Sequence, residues 1–318
     1  MIKVAVVFPG QGSQFIGMGK DFYDKYALVR DNFEKASSEL GFDLAELCFN
    51  GPEEKLKMTQ YTQPALLTVE YSIYQQFKRY FDGFGAGAGH SLGEYTALLA
   101  ADVINFKDAV NLVHQRGKYM SEITNGSLVA SMGLSEADVW KICKELSTHG
   151  VISPALFNSP GQVVVAGEVP VLEKFIEKCN DLKGVKATML KVSGPFHCSL
   201  LDSAAKKLEH YLEDIEFSIP KFNVVSNVTG EYEKNPETIK SNLVKQVNSP
   251  VYWTKCVETL FNDGYNTFVE IGPGKVLKGL ARKINRDIKV LNVSKVEDIE
   301  KISLQLDEYY NNTMMEKE

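Results

Sequence analysis

Ser91, which is flanked by glycines, is the first residue of this sequence that could act as a nucleophile. It lies in Gly89-His90-Ser91-Leu92-Gly93, a Gly-x-Ser-x-Gly pattern, with a helix-like run from Leu92 to Ala101 after it. A serine on a tight strand-to-helix turn projects its hydroxyl away from the backbone, and the first N–H groups of the helix favour negative charge there. The same pattern is also typical of an ordinary strand–turn–helix connection, so the surrounding elements must decide between the two.

The elements before Ser91 predict an α/β fold with a mostly parallel sheet. Val4 to Phe8 reads as a strand that is buried on both faces. It runs into the glycine-rich loop 9–14, whose spacing fits neither a phosphate loop nor a dinucleotide fingerprint. Residues 20–80 are predicted to be mostly helical, with Pro64 in the first turn of a helix that ends near Tyr80. The loop backbone can therefore approach a ligand at the carboxyl end of a strand.

Residues 125–193 have a different pattern, with short strands and two helices in the order β-α-β-β-α-β. This order predicts a ferredoxin-like unit. Its two ends should lie close together, as an insertion into a larger domain requires. We therefore expect a large α/β domain from residues 1–124 and 194–318, and an inserted subdomain from residues 125–193.

Arg116 occupies an unusual position in the predicted helix from Phe106 to Met120. It falls on the apolar arc of that helix, three residues after Val113 and four before Met120. A buried arginine keeps its charge and therefore needs an anionic partner. Alternatively, its stem lies along the arc while its head reaches solvent, which spacing alone favours.

Composition excludes several classes of protein. The chain has 318 residues, 44% of them hydrophobic and 24% charged, and its net charge of −6 does not favour nucleic-acid binding. No apolar run has the length of a membrane span, and the N-terminal stretch reads as a strand rather than a signal peptide. Five scattered cysteines without a Cys-x-x-Cys pair argue against a zinc site or a disulfide framework. We expect a cytoplasmic protein.

Eight short motifs together resemble the malonyl-CoA:acyl carrier protein transacylases, a family that includes the discrete acyltransferases of fatty acid and polyketide synthesis. The resemblance follows the family's motif order from residue 4 to about residue 295. Many relatives have an arginine where this chain has Tyr252, and some have a serine at Cys198. The motifs are Phe8–Gln14, Tyr61–Ala65, Gly89–Tyr95, Arg116-Gly117-x-x-Met120, Asn158–Pro160, Phe196-His197, Gln246 with Pro250-Val251-x-Trp253, and Glu270–Gly274.

The resemblance implies an α/β-hydrolase-like large domain and a role for each matched residue. Ser91 would be the nucleophile and His197 its general base, oriented by a backbone carbonyl near Gln246. The backbone N–H groups of Gln11 and Leu92 would form the oxyanion hole. Arg116 would hold the malonyl carboxylate. The substrate-binding residues implied are Arg116, Gln63, Asn158 and Gln246.

The resemblance also implies the reaction and its participants. Malonyl would pass from malonyl-CoA to Ser91 and then to the phosphopantetheine thiol of an acyl carrier protein. The family needs no metal and no bound cofactor, since the coenzyme A thioester is the substrate. We expect a monomer that supplies fatty acid synthesis. A trans-acting acyltransferase of a polyketide synthase is the alternative.

Two further readings come from other classes of protein. A serine hydrolase, such as a thioesterase, normally has an Asp or Glu between the serine and the histidine in chain order, and an apolar acyl pocket instead of Arg116. A non-catalytic carrier-binding subunit would have no reason to keep Ser91, His197 and Arg116 together. For the carrier, the sequence offers a basic stripe after Gly274, at Lys275, Lys278, Arg282 and Arg286, with Lys283 beside it.

Overall fold

A six-stranded, mostly parallel sheet forms the centre of the larger part of the molecule. The computed structural model describes residues 3–315, with side chains through residue 308. The strand order is β10-β9-β1-β2-β7-β8, and only the edge strand β8 is antiparallel to its neighbour. The strands of this sheet are β1 (Lys3–Phe8), β2 (Phe84–Gly89), β7 (Asn223–Val225), β8 (Tyr232–Glu233), β9 (Tyr265–Ile271) and β10 (Lys289–Val293).

Helices cover both faces of this sheet. The long helix α5 packs against α7, and α6 follows β2 directly. The helices are α1 (Lys20–Lys25), α2 (Ala27–Leu40), α3 (Leu44–Asn50), α4 (Glu53–Lys57), α5 (Thr59–Lys78), α6 (Leu92–Ala100), α7 (Phe106–Ser121), α8 (Glu136–Leu146), α9 (Val169–Asn180), α10 (Asp202–Leu212), α11 (Pro236–Asn248), α12 (Trp253–Asn262), α13 (Val276–Ile284) and α14 (Val296–Met315).

The first strand is central, as its apolar composition predicts. β1 pairs in parallel with β2 on one side and with β9 on the other. Residues 4–8 are all buried, and their alternate side chains join two different cores. Val4, Val6 and Phe8 pack on one face of the sheet, and Ala5 and Val7 on the other. The α/β fold with a mostly parallel sheet is confirmed.

The second sheet has four antiparallel strands in the order β4-β5-β3-β6. It consists of β3 (Ser127–Met132), β4 (Ile152–Ser159), β5 (Gln162–Gly167) and β6 (Lys186–Met189), with α8 and α9 in the connections. The ferredoxin-like β-α-β-β-α-β order is confirmed, while the boundaries at 124/125 and 193/194 stay a prediction. Val129 and Val165 face α8 and α9, whereas Leu128 and Ala166 belong to the main core.

Pro64 lies inside its helix and not in the first turn, so that prediction is wrong. The helix α5 begins at Thr59, five residues earlier. Proline has no N–H to donate to the carbonyl of Gln60, four residues before it. That carbonyl accepts instead from Nδ1 of His114 on α7, at 2.9 Å. A side chain from the neighbouring helix therefore replaces the missing bond, which sequence alone does not indicate.

Within the described residues, no helix is both long enough and apolar enough to cross a bilayer.

Candidate active site

The turn between β2 and α6 holds Ser91 at a positive φ that non-glycine residues rarely adopt, with φ 52° and ψ −101°. The glycines on either side are required by close packing. A Cβ on Gly89 would lie 1.9 Å from the backbone of Gly93, and a Cβ on Gly93 would lie 2.1 Å from the carbonyl oxygen of Phe8. The Gly-x-Ser-x-Gly pattern therefore marks a turn that is packed directly onto the end of β1.

His197 lies beside Ser91, although 106 positions separate the two residues. Its Nε2 is 2.9 Å from the Ser91 hydroxyl oxygen, and its Nδ1 is 2.6 Å from the backbone carbonyl of Gln246. A carbonyl can only accept, so Nδ1 carries the proton and Nε2 is free to accept the hydroxyl proton. His197 also has a positive φ of 65°. The backbone of α11 thus fixes the tautomer and orientation of the imidazole.

The electrostatic surroundings keep this imidazole neutral. Burial and, to a smaller extent, the nearby charge of Arg116 together lower the pKa of His197 to about 3, against the opposing effect of the bond to the Gln246 carbonyl. At neutral pH the ring is therefore unprotonated and can serve as a base.

Arg116 is fully buried with its guanidinium group inside the site, so the alternative in which its head reaches solvent is wrong. Nη1 donates to the Gln63 side-chain oxygen at 2.8 Å. Nη2 donates to the Gln246 side-chain oxygen at 2.8 Å and to the Ser91 hydroxyl at 3.1 Å. The group also lies over the Tyr95 ring, 5.1 Å from its centroid. Among the described residues, its hydrogen-bond partners are all neutral, and it makes no salt bridge.

Gln63 and Gln11 connect to this arginine through a chain of side chains. The Gln63 amide nitrogen donates to the Thr59 hydroxyl at 3.0 Å, and that hydroxyl donates to the Gln11 side-chain oxygen at 2.7 Å. The glycine-rich loop after β1 is thereby tied to the start of α5. Gln63 itself is buried, and its side-chain oxygen accepts from Arg116.

Asn158 contacts the turn from β4. Its side-chain oxygen lies 2.8 Å from Nε2 of His90, and the His90 ring packs against Trp253. Asn158 therefore contacts the neighbour of Ser91 and not the hydroxyl itself. Its predicted role in substrate binding stays a prediction.

Sequence reasoning missed two residues of the site, Glu94 and Asn227. Both are buried. The Asn227 side chain accepts from the Ser91 N–H at 2.8 Å and donates to the Gly89 carbonyl at 2.8 Å. Glu94 accepts from the Gln246 side-chain amide at 2.5 Å and from the Asn227 N–H at 3.2 Å. A signal for Glu94 existed, since it is the only acidic residue on the otherwise apolar run 92–101.

A cavity of about 310 Å³ opens onto the Ser91 hydroxyl, between the two sheets. Gln11, Leu92, Arg116 and His197 line its polar end. Its apolar wall combines α7 with the four-stranded sheet and the loops beside it, through Met120, Leu128, Leu156, Leu190, Val192 and Phe196. Because Leu128, Leu156, Leu190 and Val192 of this wall come from residues 125–193, that segment shapes the space next to Ser91 together with the rest of the chain.

The site has a serine with a neutral histidine and a buried cation, which suits acyl transfer from an acid-bearing acyl group. The model of the acyl transferase domain family matches residues 5–304. The chain is 42% identical over 303 residues to a malonyl CoA-acyl carrier protein transacylase of Staphylococcus aureus, covering 94% of this chain and 98% of that protein.

Solved structures agree with this match. The malonyl CoA-acyl carrier protein transacylase of Clostridium perfringens is 40% identical, with a TM-score of 0.94 over 98% of this chain and 99% of that one. A malonyl transacylase solved in complex with the holo acyl carrier protein of a type II polyketide synthase is 42% identical, with a TM-score of 0.90 over 93% and 97%. The fold is that of these transacylases, and the enzyme class they define is acyltransferase. The chain belongs to the acyl transferase family, among the malonyl CoA-acyl carrier protein transacylases.

Proposed function

We propose that this protein transfers malonyl from malonyl-CoA to the phosphopantetheine thiol of an acyl carrier protein, and so supplies fatty acid synthesis. The observation that carries the proposal is the buried Arg116 guanidinium, which has only neutral hydrogen-bond partners and reaches within 3.1 Å of the Ser91 hydroxyl. A buried cation calls for an anionic partner. The free carboxylate of a malonyl thioester supplies that anion next to the nucleophile, and the guanidinium fork matches it in shape.

In the first half-reaction, the Ser91 oxygen attacks the thioester carbonyl while its proton passes to Nε2 of His197. The N–H groups of Gln11 and Leu92 donate to the oxyanion that forms. The carbon–sulfur bond then breaks, His197 returns the proton to the sulfur, and coenzyme A leaves as the thiol. Malonyl remains as an ester on Ser91.

In the second half-reaction, the carrier thiol gives its proton to His197 and attacks the ester carbonyl. The carbon–oxygen bond to Ser91 breaks, and the serine recovers its proton from the imidazolium. These steps use the chain's own residues and need no metal or bound cofactor. Gln246 contributes in two ways, because its backbone carbonyl orients His197 and its side chain contacts Arg116.

The hydrolase alternative fits these contacts less well. A serine hydrolase of this order usually orients its histidine with a carboxylate. Here the His197 Nδ1–H donates to a backbone carbonyl, and the polar end of the cavity contains a cation. These features support transfer of a carboxylated acyl group over hydrolysis of an apolar one.

A polyketide synthase carrier is the second candidate partner. It is supported by the similarity to the transacylase solved with a type II polyketide synthase carrier. Both candidates use the same chemistry and differ only in the protein that brings the thiol. We further propose that the protein is a monomer and that it is cytoplasmic; the second proposal agrees with five buried cysteines that form no disulfide.

Intact-mass measurement after mixing the protein with malonyl-, methylmalonyl-, acetyl- or longer acyl-CoAs tests the proposal. We expect a mass increase of one malonyl group that disappears when an acyl carrier protein is added. Hydrolysis of malonyl-CoA without carrier should be slow. Rapid hydrolysis, or acylation by a long apolar acyl group in preference to malonyl, would support the hydrolase alternative instead.

A further inference from the structure

The buried Glu94 touches neither the Ser91 hydroxyl nor the guanidinium, yet it contacts the one side chain that connects them. It follows Gly93 on α6, within a helix whose residues are all buried. Its carboxylate accepts from the Gln246 side-chain nitrogen at 2.5 Å, the shortest contact of that nitrogen. A buried carboxylate without an ion pair is costly, so a specific arrangement must compensate for it.

The Gln246 amide has two different ends, and each faces a different charge. Its nitrogen lies near three acceptors, the Glu94 carboxylate, the Ser91 carbonyl at 3.0 Å and the Asn227 side-chain oxygen at 3.2 Å. Its oxygen accepts from Nη2 of Arg116 at 2.8 Å. If the amide were reversed, an NH₂ would face a guanidinium and an oxygen would face three oxygens. Only one orientation satisfies both sides.

We propose that Glu94 is a positioning residue that fixes the orientation of the Gln246 amide and thereby aims Arg116 at the acyl carboxylate. This inference rests on the proposed function, since it assigns part of the malonyl selectivity to a residue outside the cavity. Gln63 holds the other nitrogen of the guanidinium. Arg116 is thus held between two amide oxygens, and Glu94 is the nearest of the three acceptors that keep the Gln246 oxygen turned toward the guanidinium.

The surroundings of Glu94 favour its role as an acceptor. The Asn227 N–H also donates to its carboxylate, and the Ser226 hydroxyl lies close by. Burial raises the pKa of Glu94 to about 7, while the bonds from Gln246 and Asn227 and the charge of Arg116 oppose the rise. A glutamine at this position would carry an amide oxygen that can accept the same hydrogen bonds without the charge. Such a variant therefore distinguishes the effect of hydrogen bonding from the effect of charge.

Two conservative variants test the proposal. Glu94→Gln keeps an acceptor oxygen at the same reach but removes the charge. Glu94→Asp keeps the charge but withdraws the acceptor by one methylene. We expect Glu94→Asp to lower kcat/KM for malonyl-CoA relative to acetyl-CoA by roughly 10-fold, the scale of one lost hydrogen bond to a charged group. The change should appear mainly in the KM for malonyl-CoA. Glu94→Gln should stay within about threefold of the unchanged protein.

Glu70→Asp is the matched control. Glu70 lies on α5 and is also a fully buried glutamate, and its carboxylate accepts from the hydroxyl of Thr96, which lies on α6 as Glu94 does. This variant should lower thermal stability without changing the malonyl-to-acetyl ratio. In a Gln246→Met background, Glu94→Asp should no longer change the ratio, since the amide that couples the two residues is gone. If Glu94→Asp does not fold, Gln246→Met alone must lower the ratio.

The proposal is overturned if Glu94→Asp lowers kcat/KM equally for malonyl-CoA and acetyl-CoA, which would indicate that Glu94 only supports the Ser91 turn. It is also overturned if Glu94→Gln lowers the preference for malonyl-CoA over acetyl-CoA while Glu94→Asp retains it, because the charge and not the amide orientation would then matter. An unchanged ratio in Gln246→Met has the same consequence. Failure of the unaltered protein to form any malonyl ester would be distinct, since it removes the proposed function and this inference together.

Discussion

The two sides of the site are held in different ways. On the Ser91 side, backbone geometry dominates, through the positive φ of Ser91, the glycine contacts with the end of β1 and the Gln246 carbonyl that orients His197. On the Arg116 side, neutral side-chain amides hold the guanidinium. A backbone carbonyl remains after any substitution at its residue, whereas a side-chain contact is lost. We infer that the first side sets the reaction and that the second sets which acyl group is accepted.

The largest effect is expected from Ser91→Ala. Alanine has no oxygen near Nε2 of His197, so no acyl-enzyme should form. Cys198, which follows His197 in sequence, offers no substitute nucleophile. Burial raises the pKa of its thiol to about 11, and the S–H donates to the Pro195 carbonyl. Intact-mass measurement after mixing with malonyl-CoA checks this. A persistent mass increase of one malonyl group would place the nucleophile elsewhere.

His197→Ala should reduce the rate of malonyl loading by roughly 100-fold or more, the usual scale for a lost general base. Binding of malonyl-CoA should persist, since Arg116 and its amide partners are unchanged. Rapid-mixing measurement of coenzyme A release checks the rate, and binding is measured separately with the Ser91→Ala protein as reference. A normal loading rate would exclude His197 as the base.

Arg116→Ala addresses the other side of the site and should change selectivity more than reaction rate. Malonyl transfer should fall by roughly 10- to 100-fold, the range of lost hydrogen bonds between charged groups, while acetyl transfer holds or rises. Competition between the two acyl-CoAs measures the ratio. Arg116→Lys is the control, because it keeps the charge but loses the fork and should retain part of the preference. Equal losses for both substrates would make Arg116 a structural residue.

The smallest effect is expected on the KM for the carrier, from a surface outside both sides of the site. Acyl carrier proteins are acidic as a class, and this chain has a net charge of −6, so docking needs a local basic surface. The basic face of α13 begins next to the glycine-rich loop, where a Cβ on Gly274 would lie 3.9 Å from Ser13. Lys278, Arg282 and Lys283 lie on α13, whereas Lys275 precedes the helix and Arg286 follows its end, so the predicted stripe along one helix is wrong at both ends. In the described part of the chain, none of these five residues forms an ion pair.

Replacing both Lys278 and Arg282 by glutamate should raise the KM for the carrier a fewfold at low salt and weaken its salt dependence, with malonyl loading unchanged. The matched control replaces Lys183 and Lys186, which lie within residues 125–193, by glutamate. This changes the net charge by the same amount. A carrier KM that responds to the control and not to the α13 pair would move the docking surface to the inserted unit.

The sequence predicted most of the fold and most of the reaction side of the site. Short-range patterns were sufficient there, because an apolar strand, a glycine-flanked serine and the β-α-β-β-α-β order each have a local cause. The pairing of Ser91 with His197 came from the family resemblance, and the distance of 2.9 Å between the Ser91 hydroxyl oxygen and Nε2 of His197 is consistent with it.

The sequence could not predict interactions that depend on two distant elements. The spacing of α7 placed Arg116 on an apolar arc but did not indicate what its head meets, which is decided by Gln63 on α5 and Gln246 on α11. Pro64 was misplaced for the same reason, since the carbonyl it leaves unbonded is satisfied by His114 from another helix. Glu94 was noticed only as part of a motif, because its partner is 152 positions away.

The position of β1 in the sheet also matters during synthesis of the chain on the ribosome. Its two neighbours are β2 and β9, and Lys3 pairs with Tyr265, a residue made more than 250 positions later. Until β9 has emerged, one edge of the apolar strand from Val4 to Phe8 has no partner. An unpaired apolar edge is prone to aggregation, and such long-range parallel pairing forms slowly. Of the parallel pairs in this sheet, the pair formed by β1 and β9 spans the longest stretch of chain, so the strand that supports the nucleophile turn remains longest without one of its partners during synthesis.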